Sequence, residues 1–281
     1  MVTKNTMLSA NDLSLLEGIV IKYGKIVFTD DLREDLEKRT GKTYSEQGLR
    51  NRVAELAKRG WLIRLKRGVY LVVTDISSLG MSDVSDYVIA MTLNNRAYIS
   101  FEAALQYHGM FDQRLSTIDS VTRVRTRAYQ VKGNKAYRFL HIKQDLYDFG
   151  QMQIKTDYIA QRIVIAEAEK ALLDMLYFRT DTLTANSVLE KLNDYRSELD
   201  FGKLKHYALN YSTTMIRRVG FLLDQIGVDT EVLLSDKIKS NTYSKLGSTT
   251  ETFNAKWRLY YDDNITHQGT VTSDKQAGAQ V

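Results

Sequence analysis

Apolar positions recur three times at helical spacing before residue 60, and from residue 61 the spacing changes. Leu16, Ile19, Val20 and Tyr23 fall at i, i+3, i+4 and i+7, the stripe of a core-facing helix. Ser9 to Asp12 can open that helix and Gly24 can end it. A second helix begins at Thr29, a suitable cap, with Asp30 and Asp31 at the positive end of its dipole. Leu32 and Leu36 give it one apolar face, and Gly41 stops it. The third opens with Thr43-Tyr44-Ser45-Glu46, a capping box in which Thr43 and Glu46 satisfy each other's backbone donors. Leu49, Val53, Leu56 and Ala57 form its inner stripe, whereas Gln47, Arg50, Asn51 and Lys58 occupy the other face. Then "WLIRLKRGVYLVV" reads as two strands, Trp61–Leu65 and Val69–Val73, turning at Lys66-Arg67-Gly68, where Gly68 can take a positive φ.

Three helices followed by a hairpin is the layout of a winged helix-turn-helix, which predicts a domain over residues 1–73. Residues 74–83 are small and polar and read as a linker. Beyond them the pattern mixes both periods, so the fold class expected is α+β, with a larger mixed C-terminal domain over 84–262. Helices are expected at 83–94, 166–178, 182–195, 200–211 and 213–226, and another from Ser100 as its cap through His108 to Gly109. Strands are expected at 118–126, 136–143, 163–165 and 256–261, the first two joined by a turn at Lys132-Gly133-Asn134. Residues 263–281 read as a disordered tail.

Charge sharpens the first domain. The net charge is +5, and residues 1–73 carry all of it, with 14 Lys and Arg against 9 Asp and Glu. Such asymmetry points to a polyanionic partner for this segment. Residues 44–73 hold seven basic residues against two acidic ones. Long polar side chains early on a third helix suit base edges, and a cationic hairpin suits phosphates. The DNA-binding residues expected are Gln47, Arg50, Asn51, Lys58, Arg64, Lys66 and Arg67. A solvated basic face on a protein-interaction domain is the plainer alternative. A second basic run, 121–143, has seven basic residues and no acidic one. Arg123, Arg125 and Arg127, at i, i+2 and i+4, would share one face of a strand, with Lys132, Lys135 and Arg138 extending the patch. It could lengthen a DNA footprint, touch another nucleic acid, or solvate a sheet.

Few residues fall in patterns that fit catalytic chemistry. His108, His141, His206 and His267 lack metal-ligand spacing, and with no cysteine there is no thiolate site or disulfide. Neither a nucleophile elbow nor a phosphate-cradling glycine loop occurs. Gly247-Ser248 lacks the following pair of alternating carboxylates that a nucleotidyltransferase needs, and reads as a loop. Glu167 and Glu169 point apart on a helix, and Lys170 with Asp174 forms an i,i+4 pair. No catalytic residue, metal or cofactor is expected. The chain has no proline, so no cis-prolyl bond slows its folding. No run approaches the roughly 18 apolar residues of a membrane span, and a cytoplasmic location is expected.

Four blocks in order, "GWLIRLKRGVY", "YISFEAALQYHG", "IVIAEAEKALLDMLY" and "IRRVGFLLDQIG", resemble the AbiEi antitoxin family of bacterial type IV toxin–antitoxin systems, over roughly residues 8–260. The resemblance implies an N-terminal DNA-binding domain that represses its own operon. It also implies a C-terminal domain that antagonises a nucleotidyltransferase toxin, in many cases without a stable complex. One departure is Ala168, where the family usually has proline before Glu169-Lys170-Ala171; proline would start a helix there, so the local fold should survive its loss. A single winged helix reads a short half-site, so the expected operator is an inverted repeat in the promoter, filled by two copies of a chain monomeric in solution. The alternatives are a winged-helix transcription regulator with a C-terminal interaction domain and no toxin partner, and an enzyme of nucleotide chemistry.

Overall fold

The computed structural model describes residues 10–74, 84–131, 135–155, 162–234, 238 and 242–265. Most of the expected linker, the turn at 132–134 and most of the expected tail lie outside the described residues. The chain is α+β, and it divides into two compact units. The division does not follow the 74–83 stretch: residues 1–99, 113–143 and 153–165 form one unit, and 100–112, 144–152 and 166–281 the other.

In the first unit, α1 (Ala10–Tyr23), α2 (Thr29–Thr40) and α3 (Glu46–Lys58) pack with a small antiparallel sheet. Its strands are β1 (Ile26–Phe28), β2 (Leu62–Lys66) and β3 (Val69–Val72), in the order β1–β3–β2. β1 is not visible in the hydrophobic pattern because three residues are too few to show alternation; pairing creates it, with Ile26 opposite Leu71 and Phe28 opposite Val69. Leu16, Ile19, Leu32, Leu49, Leu56 and Trp61 fill the core beneath, so the apolar stripes read from the sequence do meet. Two caps differ from expectation. Ser45, not Thr43, caps α3, accepting from the Gly48 amide at 3.1 Å. Phe28 precedes α2, and its amide donates to Asp31 Oδ2 at 2.8 Å.

The same unit continues through α4 (Asp86–Leu93) into a mixed six-stranded sheet. Its strands are β4 (Ala97–Ile99), β5 (Thr117–Thr122), β6 (Arg127–Gln130), β7 (Ala136–His141), β8 (Gln151–Ile154) and β9 (Ile163–Ala166), in the order β6–β7–β5–β4–β9–β8. β5 runs antiparallel to β4 and parallel to β7. The expected strand 118–126 is shorter, since β5 ends at Thr122 and residues 123–126 bend away before β6.

The second unit holds α5 (Phe101–Tyr107), the short α6 (Gln144–Tyr147), α7 (Ala168–Phe178), α8 (Thr182–Asp194), α9 (Phe201–Asn210) and α10 (Thr213–Gln225). A three-stranded sheet of β10 (Ser244–Leu246), β11 (Thr252–Asn254) and β12 (Leu259–Tyr261) adds to it, with β12 central. Every residue of α7 from Ala168 to Leu176 is buried. Ala168 is its first residue, in the first turn, where proline costs no helical hydrogen bond.

Candidate nucleic-acid interface

Burial of Leu49, Val53 and Leu56 fixes the rotation of α3, so Gln47, Arg50, Asn51, Ala54 and Lys58 share its exposed face. Gln47 Nε2 donates to Asn51 Oδ1 at 2.8 Å. That bond holds the two amides together and leaves the amide nitrogen of the exposed Asn51 as a donor. Such amides match the donor–acceptor edge of adenine, Arg50 one residue away matches the two acceptors of guanine, and Ala54 matches a thymine methyl.

Opposite α3 stands the β2–β3 hairpin. Its turn is Arg67-Gly68, with Gly68 at φ 76, and the Gly68 carbonyl accepts from the Thr29 amide at 3.0 Å, which ties the turn to α2. Between helix and hairpin runs a groove of about 730 Å³. Arg50 and Lys58 line one wall, Arg64 and Arg67 the other, and Val53, Ala57 and Tyr70 contribute an apolar floor. Glu46, the acidic residue of the lining, is already paired with Arg33.

The basic residues of α3, its C-cap and the hairpin fall into two sets. Arg52 is paired with both Asp12 and Glu55, and Arg59 with Glu55. Among the described residues, Arg50, Lys58, Arg64 and Arg67 have no ion-pair partner. A cation without a counter-charge, in a groove it shares with three others, is electrostatically prepared for phosphate. Lys66 departs from the expected set. Its ammonium donates to the Thr92 carbonyl at 2.5 Å and the Leu93 carbonyl at 3.3 Å, where the end of α4 offers free carbonyls and negative dipole.

The second basic run is also sorted. Arg138 pairs with Asp119, its cross-strand neighbour, at 2.5 Å, and Lys135 with Asp86 at 2.8 Å. Arg123 and Arg125 lie in the turn after β5, not on a strand face with Arg127, though all three are exposed. Lys132 lies outside the described residues. What gathers these cations is topology. β5 and β7 run parallel and end together at Thr122 and His141, and the His141 amide bonds Thr126 Oγ1 at 3.1 Å. Arg123, Arg125, Arg127 and Lys143 therefore collect at one rim of the sheet, and Arg96 joins them because Thr122 Oγ1 donates to its carbonyl at 3.0 Å.

In the second unit the i,i+4 pair Lys170–Asp174 forms, but wholly buried and not as a solvated helix turn. Lys170 Nζ donates to Asp174 Oδ1 at 3.0 Å, to the Leu146 carbonyl at 2.9 Å and to Tyr211 Oη at 2.5 Å. Ser100 stands at the N-cap position of α5 as expected, but its hydroxyl makes no capping bond and donates to Asp174 Oδ2 at 2.7 Å. Burial lowers the lysine's pKa against the pull of Asp174, which raises it. With Lys170 and Asp174 wholly buried and their polar atoms turned toward one another and toward Ser100 and Tyr211, this cluster braces α7. His108 bonds the Ala166 carbonyl at 2.8 Å, a packing role. Among the described residues no group of three or more His, Asp or Glu could hold a metal ion, and no helix is long and apolar enough to cross a membrane.

No protein-family model and no curated protein matches the chain. Among solved structures, the crystal structure of the RV2827C protein from Mycobacterium tuberculosis is similar, with a TM-score of 0.65. The match covers 91% of this chain and 92% of that one at 15% identity, a likeness of fold.

Proposed function

We propose that this chain is a transcriptional repressor that binds duplex DNA through a winged helix-turn-helix, and that it is the antitoxin of a type IV toxin–antitoxin operon. The observation that carries the DNA reading is the convergence of four cations without ion-pair partners, Arg50, Lys58, Arg64 and Arg67, on one groove, while Arg52 and Arg59 beside them are neutralised. The element order helix, strand, helix, helix, strand, strand with β3 central supports the winged-helix reading. In this mechanism α3 enters the major groove, where Gln47, Arg50, Asn51 and Ala54 meet base edges, while Lys58, Arg64 and Arg67 meet the backbone.

The footprint continues onto the sheet rim. Lys66 bonds the end of α4, Asn94 Nδ2 then bonds Thr122 Oγ1 at 3.0 Å, and Arg123 follows Thr122 in the chain. The hairpin and the rim are thus joined by a short relay of hydrogen bonds, and a phosphate strand leaving the groove meets further cations.

The sequence resemblance extends the reading to biology. Two copies fill an inverted repeat in the promoter of their own operon, in the cytoplasm, and the C-terminal part opposes a nucleotidyltransferase toxin without side-chain catalysis of its own. Footprinting on the upstream region, with co-expression of the adjacent gene, tests both halves. Protection of paired half-sites and rescue from a toxic neighbour are expected. An unprotected promoter overturns the repressor; a harmless neighbour, or a toxic one without rescue, overturns the antitoxin.

A further inference from the structure

Three aromatic rings lie against one another on the outward face of the β10–β12–β11 sheet. Lys245 stands opposite Tyr260, and Tyr260 opposite Phe253, so the three form one row across the strands. Tyr243, the residue before β10, closes over the row. Its ring centroid is 5.5 Å from that of Phe253 and 5.7 Å from that of Tyr260, and the latter two are 4.9 Å apart. Tyr243 is 57% exposed and Phe253 41%, whereas the other side of the same sheet is packed. There Leu246, Leu259 and Trp257 have no exposure. Trp257 lies so close to Gly220 of α10 that a Cβ there would stand 2.2 Å from the indole. Arg218 Nε also bonds the Lys245 carbonyl at 2.9 Å, so the sheet is pinned from behind and its outer rings are held in place.

Cations frame the rings. Lys245 is exposed at the end of the row. Arg258 has φ 50, a left-handed conformation that glycine or asparagine takes more easily and that in other residues often marks a functional position. Its guanidinium lies 5.2 Å from the Tyr243 ring centre. The acidic residues nearest in sequence are Glu251, Asp262 and Asp263; Asp262 is buried and accepts from the Thr249 and Asn264 amides, and Asp263 accepts from Thr252 Oγ1 at 2.7 Å.

We propose that this face is a platform for an unpaired nucleic-acid strand, with Phe253, Tyr260 and Tyr243 stacking on bases and Lys245 and Arg258 meeting phosphates. Exposed rings on a rigid sheet, framed by cations, offer the two things such a strand displays: flat base faces and regularly spaced negative charge. A duplex hides its base faces, so this site is chemically distinct from the α3 groove and its function is independent of that groove.

The test uses the full chain carrying Arg64→Glu and Arg67→Glu, so that the groove is silenced. Fluorescence anisotropy compares labelled RNA and DNA strands of about eight nucleotides, within the usual size for one such site, with an abasic phosphodiester of the same length. At least one base-bearing strand should bind far more tightly than the abasic one, and the RNA and DNA arms show which sugar is preferred. Phe253→Leu and Tyr243→Leu, which keep apolar bulk but remove the ring, should each weaken that binding about tenfold at an unchanged thermal midpoint. If the leucine variants melt early, Lys245→Glu on an exposed side chain replaces them and must weaken the same binding. Equal binding of the abasic strand, no binding of either strand, or insensitivity to these changes overturns the platform.

Discussion

Residues 44–73 and 121–143 carry seven basic side chains each, and the fold disposes of them differently. In the first stretch the neutralised arginines, Arg52 and Arg59, sit at the flank of α3, and the cations without ion-pair partners gather in one groove. In the second, Arg138 and Lys135 are held by Asp119 and Asp86, and Arg123, Arg125, Arg127 and Lys143 lie exposed along a rim. The number of cations is the same; what differs is which acids the topology brings across. Asp12 meets Arg52 from 40 residues away, and Asp86 meets Lys135 from another element. A cation with a fixed partner serves the fold, and one without a partner is available to a ligand.

That distinction breaks most visibly where pairing is most complete. Asp174→Ala would leave the Lys170 ammonium buried without its carboxylate, a destabilisation of about 3–5 kcal/mol measurable by chemical denaturation. Toxin rescue should fall only as far as the folded fraction falls. A variant of wild-type stability that lost all rescue would give this cluster a chemical role and end the reading of it as a brace.

Groove cations should behave in the opposite way. Arg64→Glu with Arg67→Glu should weaken operator binding on the order of 100-fold at low salt, because two attractive phosphate interactions become repulsive, while the thermal midpoint stays put. Gel shifts across sequences should show the weakening on operator and random DNA alike. Arg50→Ala and Asn51→Ala should instead narrow the gap between operator and random DNA, by about 1–3 kcal/mol for each base pair no longer read. If Arg59→Ala, which removes a paired cation, weakened binding as much as the groove changes do, sorting by partner would fail.

Much of this was legible in the sequence, and what was not has a physical reason. The stripes Leu16/Ile19 and Leu49/Val53/Leu56 predicted the helices because helical period survives in any long window. β1 was invisible because Ile26–Phe28 becomes a strand only through β3. Capping at Ser45 and the turn at 123–126 turned on local choices that several residues could satisfy. Lys66 looked like Arg64 and Arg67 in the sequence, and only the position of α4 reveals that its ammonium is engaged. The aromatic platform was scattered over 18 residues as Tyr243, Phe253 and Tyr260, and it took the strand register to bring them into one row.

The rim gives the finest test, since its effect is the smallest. Arg125 and Arg127 are exposed, so replacing both with alanine should leave stability unchanged. As phosphate ligands they should also leave the operator preference unchanged, because the DNA backbone carries no sequence information. The expected change is in salt dependence: the slope of log affinity against log salt should flatten by about 0.9 for each phosphate no longer neutralised, with only a modest drop in affinity near physiological salt. Asp119→Asn sharpens the same measurement from the other side. It removes the negative charge beside Arg138, and if the rim faces DNA the slope should steepen. Growth rescue measured on the same proteins separates DNA binding from toxin antagonism. Intact repression and slope with no rescue would move the rim to the toxin, and no change in either would leave it a solvated sheet edge.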